Sequence, residues 1–112
     1  MPEYRISVLL SENQGIWLAQ CLEYDIAVEA KSLEDVSYEL ERTLVGHLVI
    51  CDENNEEPFE RIPPAPQEYW QRYARARMRL MADVLPFRLP KQTSRHRLPT
   101  PDFRIAAASL AA

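Results

Sequence analysis

The chain has 112 residues, of which 46% are hydrophobic and 27% charged, with a net charge of −4 and two cysteines. That length suits one domain with appendages and a core of modest size. No apolar run approaches the 18 residues of a membrane span and no charged-then-apolar leader opens the chain, so a cytoplasmic protein is expected.

Residues 4–10 alternate, with Tyr4, Ile6, Val8 and Leu10 on one side and Arg5 and Ser7 on the other, which predicts a half-buried strand; Leu9 blurs the outer face. Residues 11–15 read as the loop of a hairpin, with Asn13 and Gly15 suited to positive φ. Residues 16–22 return with Ile16, Leu18 and Leu22 on one face and Trp17, Ala19 and Cys21 on the other, an apolar pattern that predicts a central strand. After a turn at 23–25, Ile26, Val28 and Ala30 mark a third strand. Ser32-Leu33-Glu34-Asp35 then forms a capping box, in which a hydroxyl and a carboxylate can each satisfy a free backbone N–H. Leu33, Val36, Leu40, Leu44, His47, Leu48 and Cys51 follow at spacings of three and four, so one side of this helix faces a core. Tyr38, Val45 and Val49 make a second apolar stripe that calls for a partner of its own.

The run Gly-Ile-Trp-Leu-Ala-Gln-Cys-Leu-Glu-Tyr-Asp-Ile-Ala-Val from Gly15, followed by the Ser32 capping box, resembles the core of HicB-like antitoxin domains, over about residues 4–51. The resemblance implies a β-β-β-α domain similar to a truncated ribonuclease-H-like sheet without catalytic acids, often closed by a short fourth strand, and a small ribonuclease toxin as partner. Where many relatives have a Cys-Pro turn and a glycine before the helix, this chain has Cys21-Leu22 and Glu29-Ala30-Lys31-Ser32. Relatives commonly carry a C-terminal DNA-binding module; no ribbon-helix-helix or helix-turn-helix pattern follows here, so repression of its own gene is not expected.

Residues 52–60 are acidic and 59–66 proline-rich, which ends the helix and allows a short closing strand over 59–62. A second amphipathic helix is predicted over 67–85, started by Pro66 with Glu68 near its N-terminus. Its broad apolar arc includes Trp70 and Tyr73 and is expected to dock on the Tyr38, Val45, Val49 stripe or on a second subunit, with Arg77 inside the arc meeting an acid, a carbonyl or an aromatic ring. Residues 86–112 read as an extended, proline-rich basic tail. The expected class is therefore α+β: a small antiparallel sheet of three or four strands packed on one helix over residues 1–66, a basic helix at 67–85, and the tail. The spare helix faces favour a homodimer or higher homo-oligomer.

Charge divides at the linker. Up to Pro66 the chain has 4 basic and 14 acidic residues, net −10, and from Gln67 onward 9 basic and 3 acidic, net +6. The basic third, with Arg72, Arg75 and Arg79 in a stripe, is either a nucleic-acid surface or a segment laid on an acidic domain, and the second reading is preferred because the aromatics face away from the arginines. Catalytic chemistry is not expected. His47 sits in an apolar stripe as a hydrogen-bonded core histidine, His96 lies in the basic tail, and Glu23 and Asp25 lack the further acids a metal-dependent nuclease requires. Cys21 and Cys51 occupy apolar periodic positions and read as buried thiols, and Gly15 and Gly46 are too few for a phosphate-cradling loop. No metal or cofactor is expected. The functional expectation is an antitoxin-like protein that binds a small basic partner, through Trp17 and Tyr24 on the outward strand face and the adjoining turn, unless these two pack against the second helix or a sister subunit. The alternatives are a homo-oligomeric module without a toxin and a nucleic-acid-binding regulator.

Overall fold

The computed structural model describes residues 4–76, 78–80 and 102–107, with 78–80 described as backbone. The class is α+β. In chain order the elements are β1 (Arg5–Asn13), β2 (Ile16–Cys21), β3 (Ala27–Ala30), α1 (Leu33–Glu53), α2 (Gln67–Arg75), β4 (Met78–Leu80) and β5 (Asp102–Ala107).

β1 runs three residues further than its alternation predicts, and the hairpin closes on Gln14 and Gly15 alone. Both have positive φ, 52° and 82°, the conformation whose twist matches the flanking strands. Gln14 rather than Asn13 thus takes the left-handed position. The tight turn lets Ser11, Glu12 and Asn13 pair with Leu18, Trp17 and Ile16, and the Glu12 carboxylate accepts the Gly15 N–H at 2.9 Å.

The sheet has five strands in the order β3-β2-β1-β5-β4. β2 is an interior strand, as its apolar faces predict, with β3 on one side and β1 on the other; β1 is the middle of the five, and the sheet is mixed because β5 lies parallel to β1. Residues 102–107, expected in an extended tail, are therefore a sheet strand, with Ile105 and Ala106 buried. The physical reason is β1 itself: with both faces buried, its second edge would carry unsatisfied backbone groups, and β5 satisfies them.

α1 covers one face. Val36, Leu40, Leu44 and Leu48 pack on Ile6, Val8, Leu10, Ala19 and Cys21 in the main core, joined by Ile105 and Phe59. Ser32 caps the helix by accepting the Asp35 N–H at 3.0 Å. At the other end Asn55 turns left-handed at φ 57°, Glu56 N–H reaches the Cys51 carbonyl at 2.8 Å and Asn55 N–H that of Asp52 at 3.3 Å, a two-bond closure of the helix end.

Residues 59–61 form a turn, not the closing strand. Prolines at 58, 63 and 64 remove ladder donors, and the Phe59 N–H is spent on a side chain. The chain then passes the β2–β3 turn, with Asp25 N–H donating to the Pro63 carbonyl and Ala65 N–H to that of Leu22, and so reaches the second face of the sheet. There α2 sets Tyr69, Trp70 and Tyr73 against Leu9, Leu22 and Ala65. That explains Leu9, whose side chain points away from α1. It also corrects the expected docking within the chain, since α2 lies not on the Tyr38, Val45, Val49 stripe but on the opposite side of its own sheet. The helix stops at Arg75, ten residues before its predicted end, because Ala76 turns extended (ψ 131°) and the chain enters β4. Pairing with β5 there outweighs helical periodicity.

Candidate functional site

The outer side of α1 combines apolar groups with acids. Tyr38 is 57% exposed and Ile50 59%, while Val45 and Val49 between them are half-buried and Val49 also packs on the main core. Six of the helix's 21 residues are acidic, Arg42 is its one basic residue, and this cation sits over the Tyr38 ring at 5.7 Å and 3.7 Å from Glu39. Glu34 and Asp35 suit the positive N-terminal end, but Asp52 and Glu53 lie at the negative C-terminal end, where acids cost stability. Glu56, Glu57 and Glu60 continue the acidic strip as exposed residues. The outer side of α1 thus places acidic side chains beside the exposed apolar Tyr38 and Ile50.

Below this surface lies an aromatic stack. Phe59 is flanked by Tyr24, 4.1 Å away and nearly parallel, and by His47 at 4.8 Å, with Tyr4 edge-on at 5.5 Å. The Phe59 N–H donates to His47 Nε2 at 2.8 Å, and the Cys51 sulfur is 3.5 Å from the same nitrogen. Burial lowers the His47 pKa, opposed by the smaller pull of Glu56. His47 is thus the hydrogen-bonded histidine its position predicts. The Tyr4 hydroxyl donates to Glu57 at 2.6 Å, and its pKa is pushed up to about 12 by burial and by that carboxylate.

Trp17 and Tyr24 are not on an outward face. Both turn to the α1 side of the sheet and pack on the main core, half-buried, and burial raises the Tyr24 pKa, helped by Glu23. Neither offers the protruding aromatic that binding would use. Glu23 and Asp25 hold the fold: Glu23 accepts Ser7 N–H at 2.6 Å and the Ser7 hydroxyl at 2.7 Å, and Asp25 accepts the Gln20 amide at 2.9 Å. Cys21 and Cys51 are free and buried, and burial pushes the Cys21 thiol up to about 12.

On the second sheet face α2 stops short of the hairpin, leaving an open cleft of about 470 Å³ over Ser11, Ile16 and Leu18 between Glu29 and Arg72. Ile16 is 40% exposed there. The basic stripe is divided: Arg72, over the Tyr69 ring at 5.8 Å, and Arg75 are on α2, while Arg79 belongs to β4, and Arg77 lies outside the described residues. His96 lies outside them as well.

Sequence periodicity misses Ile50 because it falls between the two stripes of α1. It misses Phe59 because no period covers the acidic segment, where one aromatic among prolines and acids was the available signal. No family model, curated relative or solved structure matches this chain.

Proposed function

We propose that the chain is a non-enzymatic, cytoplasmic HicB-like protein of antitoxin type, which binds a small basic protein such as a ribonuclease toxin on the outer side of α1. The observation that carries this reading is the exposure of Tyr38 and Ile50 on a helix with six acids and one base. Complementary charge would speed encounter with a cationic partner, and the two apolar side chains would supply most of the affinity as buried anchors. The order β1-β2-β3-α1 with Ser32 as cap accords with the resemblance of residues 4–51.

Co-expression with the product of an adjacent small gene tests the reading. Capture that weakens as salt rises, and that Tyr38→Glu with Ile50→Glu abolishes in a folded protein, is the expected result. A toxic neighbour that is neither bound nor silenced overturns it. The same exposed side chains favour, as second reading, a homo-oligomeric module without a toxin. Nucleic-acid binding is the weaker alternative, because Arg79 is parted from Arg72 and Arg75.

A further inference from the structure

We propose that His47 is a proton-operated latch on the acidic segment after α1: its neutral ring holds the turn at residues 57–62 against the sheet, and protonation releases it. The inference stands apart from the identity of any partner.

The latch is one hydrogen bond with a specific requirement. His47 Nε2 accepts the Phe59 N–H at 2.8 Å, so it must present a lone pair. A proton on Nε2 would set two N–H groups against each other and strand a backbone donor on a residue only 3% exposed. Phe59 also holds a left-handed φ of 67°, which a non-glycine residue keeps only under outside restraint. The turn is built on that residue, since Ile62 N–H donates to the Phe59 carbonyl at 3.0 Å and Glu60 N–H to that of Glu57 at 3.3 Å. Prolines at 58, 63 and 64 stiffen both flanks, so a freed Phe59 carries its neighbours with it.

The titratable groups around the ring, among the described residues, come from three sides. Cys51 on α1 is 3.5 Å from Nε2. Glu56 on the segment itself favours the charged ring, less strongly than burial opposes it, and Glu57 is engaged by the Tyr4 hydroxyl. Tyr24, with Glu23 beside it, lies across Phe59. The latch therefore opens below the ordinary histidine range, at pH under about 6.5. What it releases carries Glu57 and Glu60, the continuation of the acidic strip of α1.

Nuclear magnetic resonance of the full chain tests this. The Phe59 amide and the His47 ring should titrate with one midpoint, below pH about 6.5, with Nε2 unprotonated above it. Hydrogen-exchange protection at Phe59 and Ile62 should fall at least about tenfold between pH about 7.5 and about 5, while Leu44 in α1 keeps its protection. His47→Gln, whose side-chain oxygen accepts the same N–H without titrating, should remove the pH response. A Phe59 amide that does not move through the His47 titration overturns the proposal, as does an equal loss of protection in a folded His47→Gln. Should that variant fail to fold, the wild-type co-titration alone decides.

Discussion

Two side chains fasten chain segments far apart in sequence through backbone groups. His47 receives the Phe59 N–H, and Glu23 receives both the N–H and the hydroxyl of Ser7. His47→Ala should destabilise the protein by about 1–3 kcal/mol, because it orphans a buried donor, and chemical denaturation at pH about 8 measures this. The sign of the pH effect follows from the lowered pKa. The folded state disfavours the charged ring, so the stabilisation is complete above pH about 6.5 and is lost as pH falls from there through the folded-state pKa. His47→Ala should lack this component of the acid-side loss. Tyr4 acts at the opposite limit: its raised pKa stabilises the fold up to pH about 10, and that contribution fades toward pH about 12. Glu23→Ala leaves a nearly buried serine without acceptors and should cost about 1–3 kcal/mol in the same measurement, with Glu23→Gln costing less.

Among the elements, the β1–β2 turn and β5 make contrasting predictions. Gln14 pays steric strain at φ 52°, and asparagine tolerates that region better, so Gln14→Asn should raise stability by up to about 1 kcal/mol, read as a higher melting temperature. β5 offers no such slack. Ile105 is 2% exposed and packs in the main core, so Ile105→Ala should cost about 2–5 kcal/mol, seen as a shifted denaturation midpoint. A chain ending near Pro66 would lose this strand together with α2, and should expose the free edge of β1 and the Leu9–Leu22 face. Equal solubility and stability of that shorter chain would contradict this packing.

For the whole molecule, the division of charge and the exposed residues bear on association. Tyr38, Ile50 and Ile16 lie on two sides of the sheet, outside α1 and in the cleft, and α2 covers neither site. Self-association as a dimer remains our expectation, and light scattering across the micromolar range measures it. Tyr38→Glu with Ile50→Glu should return the protein to monomer if α1 forms the contact, leaving the melting temperature within a few degrees because these side chains lie outside the core. A wild-type monomer throughout that range would rule out the oligomeric reading and leave partner binding as the role of this surface.

Features that depend on neighbours a few residues apart are legible in the chain before it folds. The alternation of β1, the Gly15 turn, the Ser32 cap and the three-and-four spacing from Leu33 to Cys51 are local steric and burial patterns, and the structure reproduces the α+β class they imply. His47 was legible as a bonded core histidine for the same reason, though its partner was not. Tertiary structure alone decided the rest. The pairing of β5 with β1 joins residues nearly a hundred positions apart, and the short alternation of Phe103, Arg104 and Ile105 does not name the strand it pairs with. The early end of α2 follows from that pairing, because β5 offers β4 an edge that backbone groups satisfy better than further turns of an amphipathic helix. Trp17 and Tyr24 moved from candidate binding residues to the core side because the sheet's two faces were assigned by which helix covers which. Only the assembled sheet, with α1 on one face and α2 on the other, makes that choice.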